Sequence, residues 1–373
     1  MLLFDPAEHE PLTTSTWDEV GVRAAIERIV ERAVAACEPG RFLRPGHDLS
    51  TWTGAAGVLW ALHHLGADLG ELGLHDAYAA EPREPRAGLM TGETGVLLVS
   101  WRLAPDDAKA SRLYELVEAN AHNPEHELFD GSPGSMLAAL HLYEQTGEER
   151  WARLWHRCAL ALLEQFRPDP ELGCRIWIQY RRGRLIRSIG AGHGFASNVH
   201  SLLRGRRLLG EERAADLERA AAETAARLAL RAEGVVNWPT AADPYWARQF
   251  PTRVQWCHGA PGVVASLAGL RRCDETDDLL LAAGELVWRA GPLRKGPGLC
   301  HGTAGNGCAF LALHERTGEP EWLERARAFA VHALEQSERS GPRHSLWTGD
   351  VGVAFYLRAC LEGWHGMPII DVL

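Results

Sequence analysis

Three side chains in this sequence combine the chemistry and the placement of metal ligands. Cys257 stands in Trp256-Cys257-His258-Gly259, and Cys300 with His301 in Leu299-Cys300-His301-Gly302. Each cysteine lies two residues before a glycine that opens an apolar run, so the two hold comparable places in consecutive repeats. Thiolate and imidazole together suit Zn²⁺ better than Mg²⁺ or Ca²⁺. Three protein ligands would leave the fourth tetrahedral position open, the arrangement of a catalytic rather than a structural zinc. The competing reading is that these are small, half-buried residues at helix starts, since two adjacent ligands are not a zinc-finger spacing. His258 has no second signal and reads as a cap or a supporting group. Cys37, Cys158, Cys174, Cys273, Cys308 and Cys360 are scattered, without a CxxC pair. They read as structural thiols.

His193 precedes Gly194 in Ala191-Gly192-His193-Gly194. Histidine titrates near neutral pH and can serve as an acid or a base, although a histidine at a helix start is also a common hydrogen-bonding structural group. Glu127 lies four residues before Gly131, and Asp130 one before it. Any helix N-terminus favours a carboxylate through its dipole, so chemistry alone gives these two no function.

The elements that would position these residues repeat along the chain. Gly-x-x-Gly followed by an apolar run occurs at Gly54, Gly92, Gly131, Gly259, Gly302 and Gly349, and a seventh copy at Gly194 has Ser197 in place of the second glycine. The first glycines are separated by 38, 39, 63, 65, 43 and 47 residues. Each run reads as a largely buried helix with glycines at its N-terminal turn, where they let neighbouring backbone approach closely. Residues 17–36, 106–120, 149–166, 211–230, 277–289 and 320–337 are amphipathic at helical spacing and belong outside, where water meets their polar faces. A second outer helix is unclear in 66–87, which holds Gly66, Gly70, Gly73, Pro82 and Pro85. Seven inner and outer helix pairs predict a helical solenoid, either a closed ring or an open superhelix. No linker divides the chain, so residues 1–373 read as one all-α domain.

Two intervals carry inserts of about twenty residues. In the first, Arg175–Tyr180 and Leu185–Ile189 alternate around Arg181-Arg182-Gly183-Arg184 and predict a small β-hairpin with a solvated basic tip, which could meet an acidic peptide. The second, 232–256, holds Asn237, Trp238, Pro239, Pro244, Tyr245, Trp246 and Pro251 and reads as an ordered loop. Both inserts are expected near the glycine-rich helix ends.

Composition narrows the class. With 46% hydrophobic and 24% charged residues over 373 positions, the chain is globular rather than disordered. A net charge of −10 argues against non-specific nucleic-acid binding. No signal peptide is seen, and no apolar run of about 18 residues suggests a membrane span. Scattered cysteines point to thiols in a reducing cytoplasm. Many of the 14 tryptophans read as core, several of them on amphipathic faces.

Trp256-Cys-His-Gly-Ala-Pro-Gly262, Gly298-Leu-Cys-His-Gly-Thr-Ala-Gly-Asn306 and Gly190-Ala-Gly-His-Gly194 resemble the hallmark motifs of lanthionine synthetase C-like proteins, and the seven glycine repeats extend the resemblance from about residue 50 to 360. It implies an (α/α)₇ toroid with one zinc at an end of the central cavity, held by Cys257, Cys300 and His301. It also implies that His193 is an acid/base and that the carboxylate before the third repeat, aligned with Glu127, takes part. Glutamate at that place looks more like the eukaryotic-type branch than the lantibiotic cyclases. Lys295 is similar to a lysine that contacts glutathione in that branch, and Arg343 to a second glutathione-contacting residue, in a looser local match. Ser197 departs from the pattern and puts the start of that helix in question, not the zinc.

The expected activity is zinc-dependent thioether formation. A free thiol has a pKa near 8.5, and zinc would generate the thiolate at neutral pH. That thiolate, from a peptide cysteine or from glutathione, would undergo Michael addition to a dehydroalanine or dehydrobutyrine residue, with His193 protonating the α-carbon. At this length no dehydratase domain is present, so a separate dehydratase or kinase-like partner would supply the dehydrated peptide or protein. The alternative is a non-catalytic zinc-containing scaffold that binds peptide or glutathione. A glycan enzyme would need paired carboxylates where these repeat ends offer thiols.

Overall fold

The computed structural model describes residues 3–38, 42–44, 46–67, 69–80, 86–181, 183–243 and 252–373. Seven inner helices start immediately after the first glycine of each motif: Ala55–His64, Glu93–Leu103, Ser132–Thr146, Phe195–Arg204, Ala260–Leu267, Thr303–Thr317 and Asp350–Glu362. Their apolar residues are buried on nearly every side, as expected of a helix enclosed by others. Seven outer helices alternate with them: Glu19–Ala36, Leu74–Ala79, Asp107–Asn120, Glu149–Glu164, Glu211–Leu228, Asp274–Ala290 and Pro320–Ser340. These bury one stripe only. The helix Glu149–Glu164, for example, inserts Trp151, Leu154, Trp155, Cys158 and Leu162 and leaves its other face to water. Asp18 and Asp106 cap two outer helices by accepting backbone N–H bonds with their side chains. The uncertain second outer helix shrinks to Leu74–Ala79, because Gly66, Gly70 and Gly73 take φ of 94°, 63° and 76° and interrupt any longer helix. Pro82 and Pro85 lie outside the described residues.

Each inner helix packs on the next, and the last, Asp350–Glu362, packs on the first, Ala55–His64. The outer helix Glu19–Ala36 also packs on Asp350–Glu362, so chain-distant elements close the circle. The fold is therefore a closed (α/α)₇ toroid and not an open superhelix. The second glycine of the motif fixes how tightly each helix seats on the loop before it. A Cβ on Gly95 would stand 1.8 Å from the Leu89 carbonyl oxygen, and one on Gly305 1.8 Å from that of Leu299. At the fourth copy Ser197 stands in that place, while Gly190, like Gly88 and Gly298 in their copies, packs on the following copy: a Cβ on it would stand 2.2 Å from the Cys257 carbonyl oxygen. Ser197 is accommodated there, its hydroxyl donating to the Gly194 carbonyl at 2.9 Å, and the helix starts in the usual place.

The first insert differs from the single predicted hairpin. Cys174–Ile176 pairs backwards with Arg167–Asp169, because Gly173, at φ 68°, has already turned the chain. Only Gln179–Arg181 and Arg184–Ile186 form the expected pair, with Tyr180 opposite Leu185. Arg182 at its tip lies outside the described residues. The second insert is a loop only in part, since Leu230–Ala232 pairs with Val235–Asn237. Its residues 244–251, including Pro244, Tyr245, Trp246 and Pro251, lie outside the described residues. Of the remaining cysteines, Cys273 is exposed at the start of its helix rather than buried, and Cys174 is half-buried; Cys37, Cys158, Cys308 and Cys360 are buried. No helix among the described residues is long and apolar enough to cross a membrane.

Candidate metal and acid–base site

The loops that precede the inner helices lie side by side and join through backbone hydrogen bonds. Trp52 N–H donates to Met90 C=O (3.1 Å) and Met90 N–H to Phe129 C=O (3.1 Å). Gly192 donates to Cys257 (3.2 Å), Cys257 to Cys300 (3.1 Å), Cys300 to Trp347 (2.8 Å) and Trp347 back to Trp52 (3.3 Å). Every one of these residues stands two positions before the first glycine of its copy. Six of the seven junctions between copies are thus linked, and the remaining one, between Phe129 and Gly192, is spanned differently.

Cys257 and Cys300 are neighbours on this ring, which brings their side chains together across 43 residues of sequence. The two sulfurs and an imidazole nitrogen of His301 lie within 4.8 Å of one another, with both cysteines buried and His301 half-buried. A hydrogen bond from the Cys300 thiol holds Cys257 well below the ordinary thiol range, against burial and with help from His301. The same bond, together with burial, pushes Cys300 well up. Two sulfurs that compete for one proton are a natural pair for a cation, which removes the competition by replacing the proton. The donor set fits a soft tetrahedral ion, with two sulfurs and one nitrogen converging on one point.

His193 sits at the interrupted junction. Its Nδ1 lies 2.6 Å from Oε2 of Glu127, which is fully buried. The other oxygen of Glu127 accepts the Asp130 backbone N–H at 2.6 Å. The His193 side chain is 21% exposed, so the ring is held from behind and open in front. It packs against Phe129 with 4.4 Å between centroids and lies 5.9 Å from the His258 ring. A histidine oriented by a buried carboxylate is the usual geometry of a general acid or base. Asp130 does not join it; its carboxylate accepts from the Thr91 hydroxyl and is structural.

Lys295 and Arg343 meet His301 along one cleft of about 120 Å³, which Trp347, Thr348 and Asp350 also line. Arg343 is exposed there. Lys295 Nζ donates to Gln255 Oε1 at 3.2 Å and stands 3.8 Å from a Glu8 carboxylate oxygen. Two glutamines of the site escaped the sequence reading. Gln255 donates to Cys257 Sγ at 2.9 Å. Gln179 spans the interrupted junction: its amide N–H₂ reaches His126 C=O (3.3 Å) and His193 C=O (3.4 Å), and its oxygen accepts from Ser188 N–H (2.8 Å). The available signal was a single amide set among apolar residues, in Val254-Gln-Trp256 and in Trp177-Ile-Gln-Tyr180.

The profile of the family described as "Lanthionine synthetase C-like protein" matches residues 14–365. "Glutathione S-transferase LANCL1" of Danio rerio is 33% identical over 185 residues, 47% of this chain and 43% of the relative. "LanC-like protein GCL1" of Arabidopsis thaliana is 44% identical over 111 residues, 26% of this chain and 25% of the relative. The matched segments thus span less than half the length of these relatives. Among solved structures, "Nisin cyclase" superposes with a TM-score of 0.65 at 14% identity, covering 94% of this chain and 95% of that one, a likeness of fold.

Proposed function

The chain belongs to the lanthionine synthetase C-like family, and from that premise we propose that it is a zinc-dependent enzyme that joins a thiol to a dehydrated peptide or protein through a thioether. The observation that carries this reading is the convergence of a two-thiol, one-imidazole donor set, a carboxylate-backed histidine and a cationic cleft at one end of the toroid. In the proposal Cys257, Cys300 and His301 hold the zinc. A zinc ion at that position supplies a Lewis acid that lets a thiol lose its proton at neutral pH.

The protein's own residues account for the rest. Lys295 and Arg343 offer positive charge to the carboxylates of an incoming thiol. The thiolate sulfur bonds to the β-carbon of a dehydroalanine or dehydrobutyrine residue, and the π electrons move toward the α-carbon and its carbonyl. His193 delivers a proton to the α-carbon and completes the addition of S–H across the double bond. Glu127, 2.6 Å from Nδ1, fixes the orientation of the imidazole. The cleft favours a small anionic thiol such as glutathione, in keeping with the name of the zebrafish relative. A peptide cysteine, as the name of the nisin cyclase suggests, is the second possible donor. The dehydrated partner comes from a separate dehydratase or kinase-like protein in this reading. Residues 1–373 act as one domain, in a reducing cytoplasm where free thiols persist.

The test is direct. Zinc-loaded protein is incubated with a dehydroalanine peptide, either carrying an internal cysteine or mixed with glutathione, and thioether is measured by mass spectrometry. Product with one donor supports the enzyme and identifies the thiol. No product with any thiol at full zinc occupancy favours a non-catalytic scaffold.

A further inference from the structure

Gln255 is 4% exposed and stands between two charged functions without contributing a charge itself. On one side its carbonyl oxygen accepts from Lys295 Nζ at 3.2 Å, and on the other its amide nitrogen donates to Cys257 Sγ at 2.9 Å. An ammonium can only donate, so Lys295 fixes which end of the amide faces it and leaves the N–H₂ group to face sulfur. The direction of the chain, Lys295 to Gln255 to Cys257, is therefore set by chemistry. Backbone bonds hold the amide in place as well, because Gln255 N–H donates to His258 C=O (3.1 Å) and His258 N–H to Gln255 C=O (3.0 Å).

We infer that Gln255 is a positioning residue that ties the thiol-binding cleft to the metal centre, drawing charge from the Cys257 sulfur and holding that sulfur in ligand geometry. The inference rests on the zinc reading above. Two thiolates and a neutral imidazole cancel the charge of Zn²⁺, so an incoming thiolate would leave the centre negative. A hydrogen bond to one ligand sulfur, strengthened by an ammonium behind the amide, offsets part of that charge. It also leaves the Cys257 sulfur a poorer nucleophile than the incoming one. An electrophile is then taken by the substrate thiol and not by the protein. Filling the cleft with a carboxylate would compete for Lys295 and loosen the bond at Gln255, so the cleft and the sulfur sense each other.

The experiment uses the full chain loaded with Co²⁺ in place of zinc, where sulfur-to-metal charge-transfer bands report electron density on the ligand sulfurs. Gln255→Leu keeps the volume and removes the donor. Its charge-transfer band is expected at longer wavelength than in the wild type, with metal stoichiometry unchanged and zinc affinity lower by about 10-fold. Lys295→Met leaves the amide in place but frees its orientation, and a smaller shift in the same direction is expected. If the band of neither variant moves, Gln255 does not act on the metal ligand and the inference fails. If Gln255→Leu does not fold, Lys295→Met alone decides the matter. Moved bands in a protein that forms no thioether with any thiol would keep the relay and refute the proposed activity, so the two failures are told apart.

Discussion

The rim of the toroid has a regular part and an irregular part, and they are built for different tasks. Around Cys257, Cys300, Trp347 and Trp52 the copies follow each other with unbroken backbone hydrogen bonds. Two cysteines at equivalent positions are thereby brought, with His301, to within 4.8 Å of one another without any special loop. Between Phe129 and Gly192 the backbone bond of the other junctions is missing among the described residues, and Gln179, from the first insert, fills the junction with side-chain bonds. At that junction His193 meets Glu127 at 2.6 Å. Repetition brings the two thiols together, and the break in repetition holds the His193–Glu127 pair.

Variants that break this contrast are expected to differ in size and kind. Cys300→Ala removes a ligand from the regular part and should lose stoichiometric zinc and all measurable thioether formation; one retained equivalent of zinc, measured by atomic absorption, would overturn the assignment. His193→Asn acts on the irregular part alone. It should keep full zinc and lose about 10²–10⁴-fold in kcat, the range of a lost general acid or base. Glu127→Gln retains an acceptor for the Asp130 N–H but no negative charge behind the imidazole. A fall in kcat of roughly 10-fold is expected, with zinc content intact and KM little changed, since the imidazole loses its charged anchor but not its place. An unchanged kcat would leave Glu127 a merely structural partner. The smallest effect should come from Gln179→Ala. It leaves the buried Ser188 N–H without its acceptor and should cost about 1–3 kcal/mol in urea unfolding, with zinc affinity unchanged. A loss of zinc in that variant would show that the two parts of the rim are not independent.

Much of the site could be read from residue types. The donors Cys257, Cys300 and His301 could be picked out because the same Leu/Trp-Cys-His-Gly pattern recurs at one repeat position, and repeated placement predicts spatial adjacency when copies stack. The alternation of all-apolar and amphipathic segments gave the two helical layers, because burial on every side and burial of one stripe leave different marks on composition. Glu127 was legible as a carboxylate at a helix start, but the 2.6 Å contact with His193 was not, since the two are 66 residues apart and stand at different positions of their copies, four and one before the glycine.

The amino-acid order by itself determined the repeat, the helix starts and the identity of the soft donors, because these depend on local periodicity and side-chain chemistry. Closure of the ring was decided in three dimensions, where Glu19–Ala36 and Ala55–His64 meet Asp350–Glu362 across nearly the whole chain. So were the split of the predicted hairpin into two and the places of Gln179 and Gln255. An amide has no periodic signature, and its partners are set only when backbone segments from distant copies come within a hydrogen bond of each other.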